Sequence, residues 1–206
     1  MRWHAFFLLF FLSAAPAHAQ LFFDPPPMTD LRVTGGEPGM VEPLPGAPPM
    51  EIMQAGLLWN FRGGMNVAAL TCGNYALLHT SQGYATLLRR HGEELTDAHD
   101  RLEAWFIAQA GERRLGQRDF DRWNTRVYNG FATLRAKRRF CHVANRIAID
   151  IIYPPEESAL FLAQRRMAAL REGLIPAGDR QFVVGRHDLA VPKLCPAKKN
   201  RLVRCP

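Results

Sequence analysis

Apolar residues return at helical spacing through most of the middle of the chain. Tyr84, Leu87, Leu88, Leu95, Leu102, Trp105 and Phe106 fall close to every 3.6 residues. That period predicts one long amphipathic helix, opening at Thr80 or Ser81 and stopped by Gly111, with a break near Gly92. A second stripe, Phe120, Trp123, Val127, Phe131 and Leu134, predicts the next helix. The basic run Arg135-Ala136-Lys137-Arg138-Arg139 then reads as its C-terminal end, where cations meet the helix dipole favourably. Cys141, Ala144, Ile147, Ala148 and Ile151 share one face of a helix over Phe140–Ile152, which points Cys141 inward. Pro154-Pro155 can end that helix and open another, with Glu156 and Glu157 in its first turn and Leu160, Ala163, Met167, Leu170 and Leu174 as its stripe. Upstream, Asn66 predicts the cap of a short helix through Thr71, ended by Gly73. Strand is confined to a short stretch over Gln181–Val184.

The ends of the chain follow different rules. Residues 1–19 have the three parts of a cleavable export signal: Arg2 and His4, an apolar run from Ala5 to Ala15, and Ala17-His18-Ala19 as an A-x-A cleavage site. The apolar run is shorter than the about 20 residues a spanning helix needs. No Cys follows Ala19 to take a lipid anchor, and no later segment is apolar enough to span a bilayer. The expected location is therefore the periplasm or the medium. Residues 20–55 are rich in proline, which removes backbone donors and blocks helix, and predict an extended or disordered arm. The division expected is leader 1–19, arm 20–55, helical domain 56–175 and a basic tail 176–206. The fold class is mainly α: a small disulfide-braced bundle of four to five helices with a Pro-rich arm and an irregular tail.

Cys72, Cys141, Cys195 and Cys205 are an even set in a chain expected to be exported, which argues for disulfides. Four cysteines allow three pairings. Cys195 and Cys205 close a short loop in the irregular tail, which favours that pair and leaves Cys72 with Cys141. No C-x-x-C or zinc-finger spacing accompanies them, so neither metal nor cofactor is expected.

Three segments carry a family likeness. Asn66-Val67-Ala68-Ala69-Leu70-Thr71-Cys72, then Asn124-Thr125-Arg126-Val127-Tyr128-Asn129-Gly130-Phe131, then Phe140-Cys141, resemble the N-V-A-A-L-x-C, T-R-x-Y-x-x-F and F-C segments of a group of exported alphaproteobacterial proteins of sphingomonad type. The resemblance spans Asn66 to Leu174. It implies export and a helical fold, fits a Cys72–Cys141 bridge, and implies no activity.

Charge narrows the partners. The net charge is +7, and the leader holds only Arg2 of it. A basic surface made by Arg135, Lys137, Arg138, Arg139 and Arg146, with the tail lysines, would suit an anionic envelope component or another envelope protein. Nucleic acid is not an expected partner of an exported chain. Arg126 and Asn129, with Asn124, Thr125 and Tyr128, could instead line a groove for a polar ligand, or bond to neighbouring backbone. The Pro-rich arm could also dock on a partner.

No residue is assigned to catalysis. G-x-S-x-G, P-loop and dinucleotide glycine patterns are missing, as are H-E-x-x-H and the Glu-x-x-His pairs of a di-iron bundle. His91 with Glu94, and His99 with Glu103, lie about one turn apart and are read as salt-bridging helix faces rather than ligands. The leading expectation is a binding or scaffolding protein of the cell envelope. The alternative is a periplasmic hydrolase acting on cell-wall glycan or peptide, drawing on Glu94, Asp97, Glu103, Asp119 or Asp121.

Overall fold

The computed structural model describes Met28, residues 31–132, 136–153 and 157–176, and the backbone of 194–197 and 201–204. The leader, the strand expected over Gln181–Val184, Arg135 and the Cys195–Cys205 pairing lie outside the described residues. Five α-helices are present among them: α1 (Met50–Cys72), α2 (Thr80–Ala110), α3 (Arg113–Asn129), α4 (Lys137–Ile152) and α5 (Ala159–Glu172). A short hairpin follows, β1 (Leu194–Ala197) antiparallel to β2 (Arg201–Arg204), with Cys195 opposite Val203. The fold is mainly α and disulfide-braced, as the apolar pattern predicts.

α1 runs through the centre, packed by α2, α3, α4 and α5. It begins at Met50, well before the Asn66 that was expected to cap it. Asn66 is a mid-helix residue. Ala55 through Phe61 are all buried in succession. A stretch buried all round has no polar face and therefore no 3.6-residue stripe to read, although the ends of α1 at Glu51 and Leu70 are exposed. Gly63 and Gly64 let Val127, Leu170 and Phe131 close on it. A Cβ at Gly64 would lie 2.8 Å from both Leu170 and Phe131.

α2 wraps α1 and bends at His91, whose φ of −121° and ψ of 23° leave the helical range, one residue before the expected break at Gly92. Gly111 ends α2 in the left-handed conformation at φ 69°, where glycine carries no Cβ penalty. α3 stops at Asn129. Lys137, Arg138 and Arg139 therefore open α4 rather than close α3. This placement costs energy, because cations near a helix N-terminus oppose its dipole. Glu157 lies before α5 rather than in its first turn. Ser158 is the N-cap there, its Oγ accepting from the Phe161 N–H at 3.1 Å.

Cys72 and Cys141 are bonded to each other, Cα to Cα 5.6 Å, and both are buried. The bridge ties the end of α1 to the first turns of α4. Around it the core is contiguous. Trp123, Phe106 and Phe120 stack between α2 and α3, while Phe131, Phe140, Ile147, Met167 and Leu170 fill the far side.

The Pro-rich segment departs most from expectation. Residues 31–49 are not an unfolded arm but a strap across α1, α2 and α3. Val33 is buried and its N–H donates to the Gln164 carbonyl at 2.9 Å. Proline removes donors but leaves carbonyls, and two indoles use them. Trp105 Nε1 donates to the Pro45 carbonyl at 3.2 Å, and Trp123 Nε1 to the Glu42 carbonyl at 3.1 Å. Gly35, at φ 103°, turns the strap where a Cβ would stand 2.6 Å from the Met53 carbonyl oxygen.

Candidate functional site

The basic residues expected to form one surface are divided by the fold. Arg139 is turned inward and is 3% exposed, because it shares the buried face of α4 with Phe140 and Val143. It therefore does not belong to the expected surface. Arg138 and Arg146 are exposed, and His142 lies between them at four-residue spacing. The three form one stripe along α4. Lys137 sits beside it, its Nζ 5.6 Å from the ring centre of Tyr75.

Against this stripe lies a hollow of about 680 Å³, lined by Asn74, Tyr75, Ala76, Leu77 and Leu78 of the α1–α2 loop and by Arg138, Cys141 and His142 of α4. The disulfide borders it through Cys141. The loop is held at both ends. The Tyr75 N–H donates to the Cys72 carbonyl at 3.1 Å, and the His79 N–H to Asn145 Oδ1 of α4 at 2.7 Å. Yet Leu77 is 87% exposed and Tyr75 51% exposed. Burial pushes His142 below the ordinary histidine value, and the Arg146 charge pushes it further the same way. The stripe thus carries positive potential beside an apolar surface.

Arg126 and Asn129, the expected polar groove pair, do not converge. Arg126 lines a different hollow, about 360 Å³, between the strap (Pro43 to Pro45), the end of α2 and α3. Asn129 is exposed and takes no part in that lining. The rest of the set is engaged internally. Asn124 Oδ1 accepts from Trp59 Nε1 at 2.9 Å, Thr125 Oγ1 donates to the Asp121 carbonyl at 2.9 Å, and the Tyr128 hydroxyl accepts from Arg62 at 2.6 Å.

Sequence spacing does not reveal the strap's Glu42, 84 residues from its ion-pair partner. Glu42 Oε1 accepts from Arg126 Nε at 2.7 Å. Its N–H donates to Asn60 Oδ1 at 3.2 Å, and the same oxygen accepts from Arg171 at 2.8 Å. Asn60 is fully buried and donates to the Gly56 carbonyl at 2.8 Å. Arg171 stacks 4.1 Å from the Phe131 ring centre. Burial lowers its pKa from the usual arginine value, and the Glu42 carboxylate opposes that shift.

Four of the five carboxylates considered for hydrolysis are engaged by other groups. Glu94 and Asp97 do come together, with Glu51, at a hollow of about 180 Å³. Glu94, however, accepts from the Ala159 N–H at 2.9 and 3.2 Å, capping α5 from a helix 65 residues away, and from His91 at 2.9 Å. Asp97 pairs with Arg101 at 2.9 Å, Asp119 with Arg122 at 3.2 Å, and Glu103 accepts from Gln117 at 2.8 Å. Asp121 is exposed. His99 does not pair with Glu103. It meets Asp100 at 3.0 Å and packs between Trp59 and Phe120. Among the described residues no group of His, Cys, Asp and Glu could hold a metal ion, and no helix is long and apolar enough to cross a membrane.

By geometry the described residues form a five-helix bundle with a central helix, the Cys72–Cys141 disulfide and a docked strap. Comparison with protein-family models, with curated proteins and with solved structures finds no match.

Proposed function

We propose that this is an exported, non-enzymatic protein of the cell envelope that binds an anionic envelope component through the basic face of α4. The observation that carries the reading is the stripe Arg138, His142 and Arg146 on α4, joined by Lys137, of which Arg138 and His142 line the hollow at Tyr75–Leu78. Lys137 and Arg138 stand where they oppose the α4 dipole, so the dipole does not account for their placement. Attraction of an anion is a role that suits them there. The leader at 1–19 and the disulfide between buried cysteines support an oxidising compartment.

The hydrolase alternative would rest on Glu94 and Asp97. Glu94 is engaged by the α5 N-terminus and His91, and Asp97 by Arg101, which favours the binding reading.

Co-sedimentation of the mature protein with vesicles rich in anionic phospholipid tests it. Binding is expected to fall with added salt and to drop at least tenfold in the triple variant Lys137→Glu, Arg138→Glu, Arg146→Glu. Unchanged sedimentation of that variant would remove the reading. Export is tested separately by the mass of the protein recovered from periplasm, expected to begin at Gln20.

A further inference from the structure

The α1–α2 loop presents an apolar surface that folding does not use. Leu77 is 87% exposed although the loop is fixed at both ends by backbone hydrogen bonds, through Cys72 on one side and Asn145 on the other. Exposed apolar groups on a pinned segment beside a hollow are the ordinary mark of a ligand surface. The hollow, about 680 Å³, lies within the range of small-molecule sites, about 300–1,000 Å³. Its lining divides in two. Tyr75, Ala76, Leu77, Leu78 and Cys141 offer apolar contact, while Arg138 and His142 stand on the α4 side with Arg146 one turn on.

We propose that this hollow binds one long-chain fatty acid. The acyl chain lies against Tyr75, Leu77 and Leu78, and the carboxylate is held by the guanidinium of Arg138, with the charge of Arg146 two turns further along α4 adding to the attraction. Charge selects the occupant. The rim is cationic, so an anionic head is attracted and a cationic one repelled. The chain's own C-terminal tail is a poor rival by sign. Residues 177–206 carry Arg180, Arg186, Lys193, Lys198, Lys199, Arg201 and Arg204 against Asp179 and Asp188. A planar guanidinium matches a carboxylate in two parallel hydrogen bonds, which a lysine cannot offer.

The proposal rests on the basic α4 face argued above and adds the apolar half. Its test separates the two. Binding of saturated fatty acids of ten to sixteen carbons to the full mature protein is followed by displacement of a fluorescent fatty acid. Affinity is expected to fall about fourfold for each methylene removed. Leu77→Gln is expected to weaken binding about tenfold while leaving salt-sensitive vesicle sedimentation intact. The pair Arg138→Gln and Arg146→Gln is expected to weaken both. All these positions are exposed, and circular dichroism and thermal midpoint report that each variant folds. Vesicle binding without fatty-acid binding, or an affinity indifferent to chain length, overturns the proposal and leaves the α4 reading standing. Fatty-acid binding unaltered by either variant overturns it as well. So does a concentration-dependent dimer, seen by sedimentation velocity, that Leu77→Gln dissolves, because the occupant is then a second copy.

Discussion

Glycine at position 83 shows how tightly a single residue can hold this fold. A Cβ there would stand 2.5 Å from Ala148 Cβ and 2.8 Å from its Cα, so α2 and α4 touch backbone to backbone. Backbone cannot swing aside as a side chain can. Gly83→Ala is expected to cost about 1–3 kcal/mol, read from urea unfolding. Glu42 is a second such position. Its carboxylate offsets the buried charge of Arg171 and pairs with Arg126. Glu42→Gln leaves Arg171 without that compensation and is expected to cost about 1–3 kcal/mol, with the strap amides exchanging faster than those of α1. Glu37 gives a pH dependence. Burial raises its pKa, but the N–H groups of Thr34 and Gly35, which donate to its carboxylate, outweigh that and set it below the ordinary 4.5. A folded pKa below the unfolded one means that the stability it contributes is present above the unfolded value and lost as pH falls through the folded value. The Thr34 and Gly35 amide resonances are expected to titrate with a midpoint below 4.5, and Glu37→Gln to abolish the titration.

At the scale of elements, the first turn of α5 draws its caps from two places. Ser158 caps α5 from its own chain, while Glu94 caps it from α2. Glu94→Gln removes the charge that faces the α5 dipole and is expected to cost about 1 kcal/mol, with exchange of the Ala159 and Leu160 amides rising first. The strap obeys the same logic. Its prolines cannot donate, so its order depends on Trp105 and Trp123 reaching its carbonyls. Trp105→Phe keeps the ring but removes the donor, and is expected to loosen residues 43–46 to proteolysis while α1 stays protected. Survival of the strap unchanged would show that apolar packing of Val41 and Leu44 against Gly56 holds it instead.

The whole molecule is closed by Cys72–Cys141, 69 residues apart in sequence. In the chain-entropy account a bridge of that span restricts the unfolded chain by about 4 kcal/mol. Reduction, or Cys72→Ala with Cys141→Ala, is expected to lower the denaturation midpoint accordingly. It is also expected to free the α1–α2 loop, whose apolar face borders the same bridge. Loss of stability without any change in that loop's exchange would separate the two roles. The bridge thus links the stability of the bundle to the shape of the hollow beside α4.

Periodicity made α2, α3 and α4 legible because each is buried on one side only, and the contrast of faces leaves a 3.6-residue signal. The even cysteine count, together with the short spacing of Cys195 and Cys205, favoured Cys72 with Cys141, and the inward face of α4 agreed. By itself, then, the sequence determined the helical class and the stops at Gly73 and Gly111, and it favoured the bridge without fixing it. Tertiary structure decided the rest. α1 is enclosed all round over Ala55–Phe61, and a stretch without a wet face shows no period. The basic run belongs to α4 because α3 ends at Asn129, and Arg139 is buried because of the face it falls on. The order of the strap and the cap at Glu94 come from partners tens of residues distant, which no local pattern records. The hollow at Tyr75–Leu78 exists only where the loop after α1 meets the basic stripe of α4, so a candidate site of this kind is a property of the packed bundle.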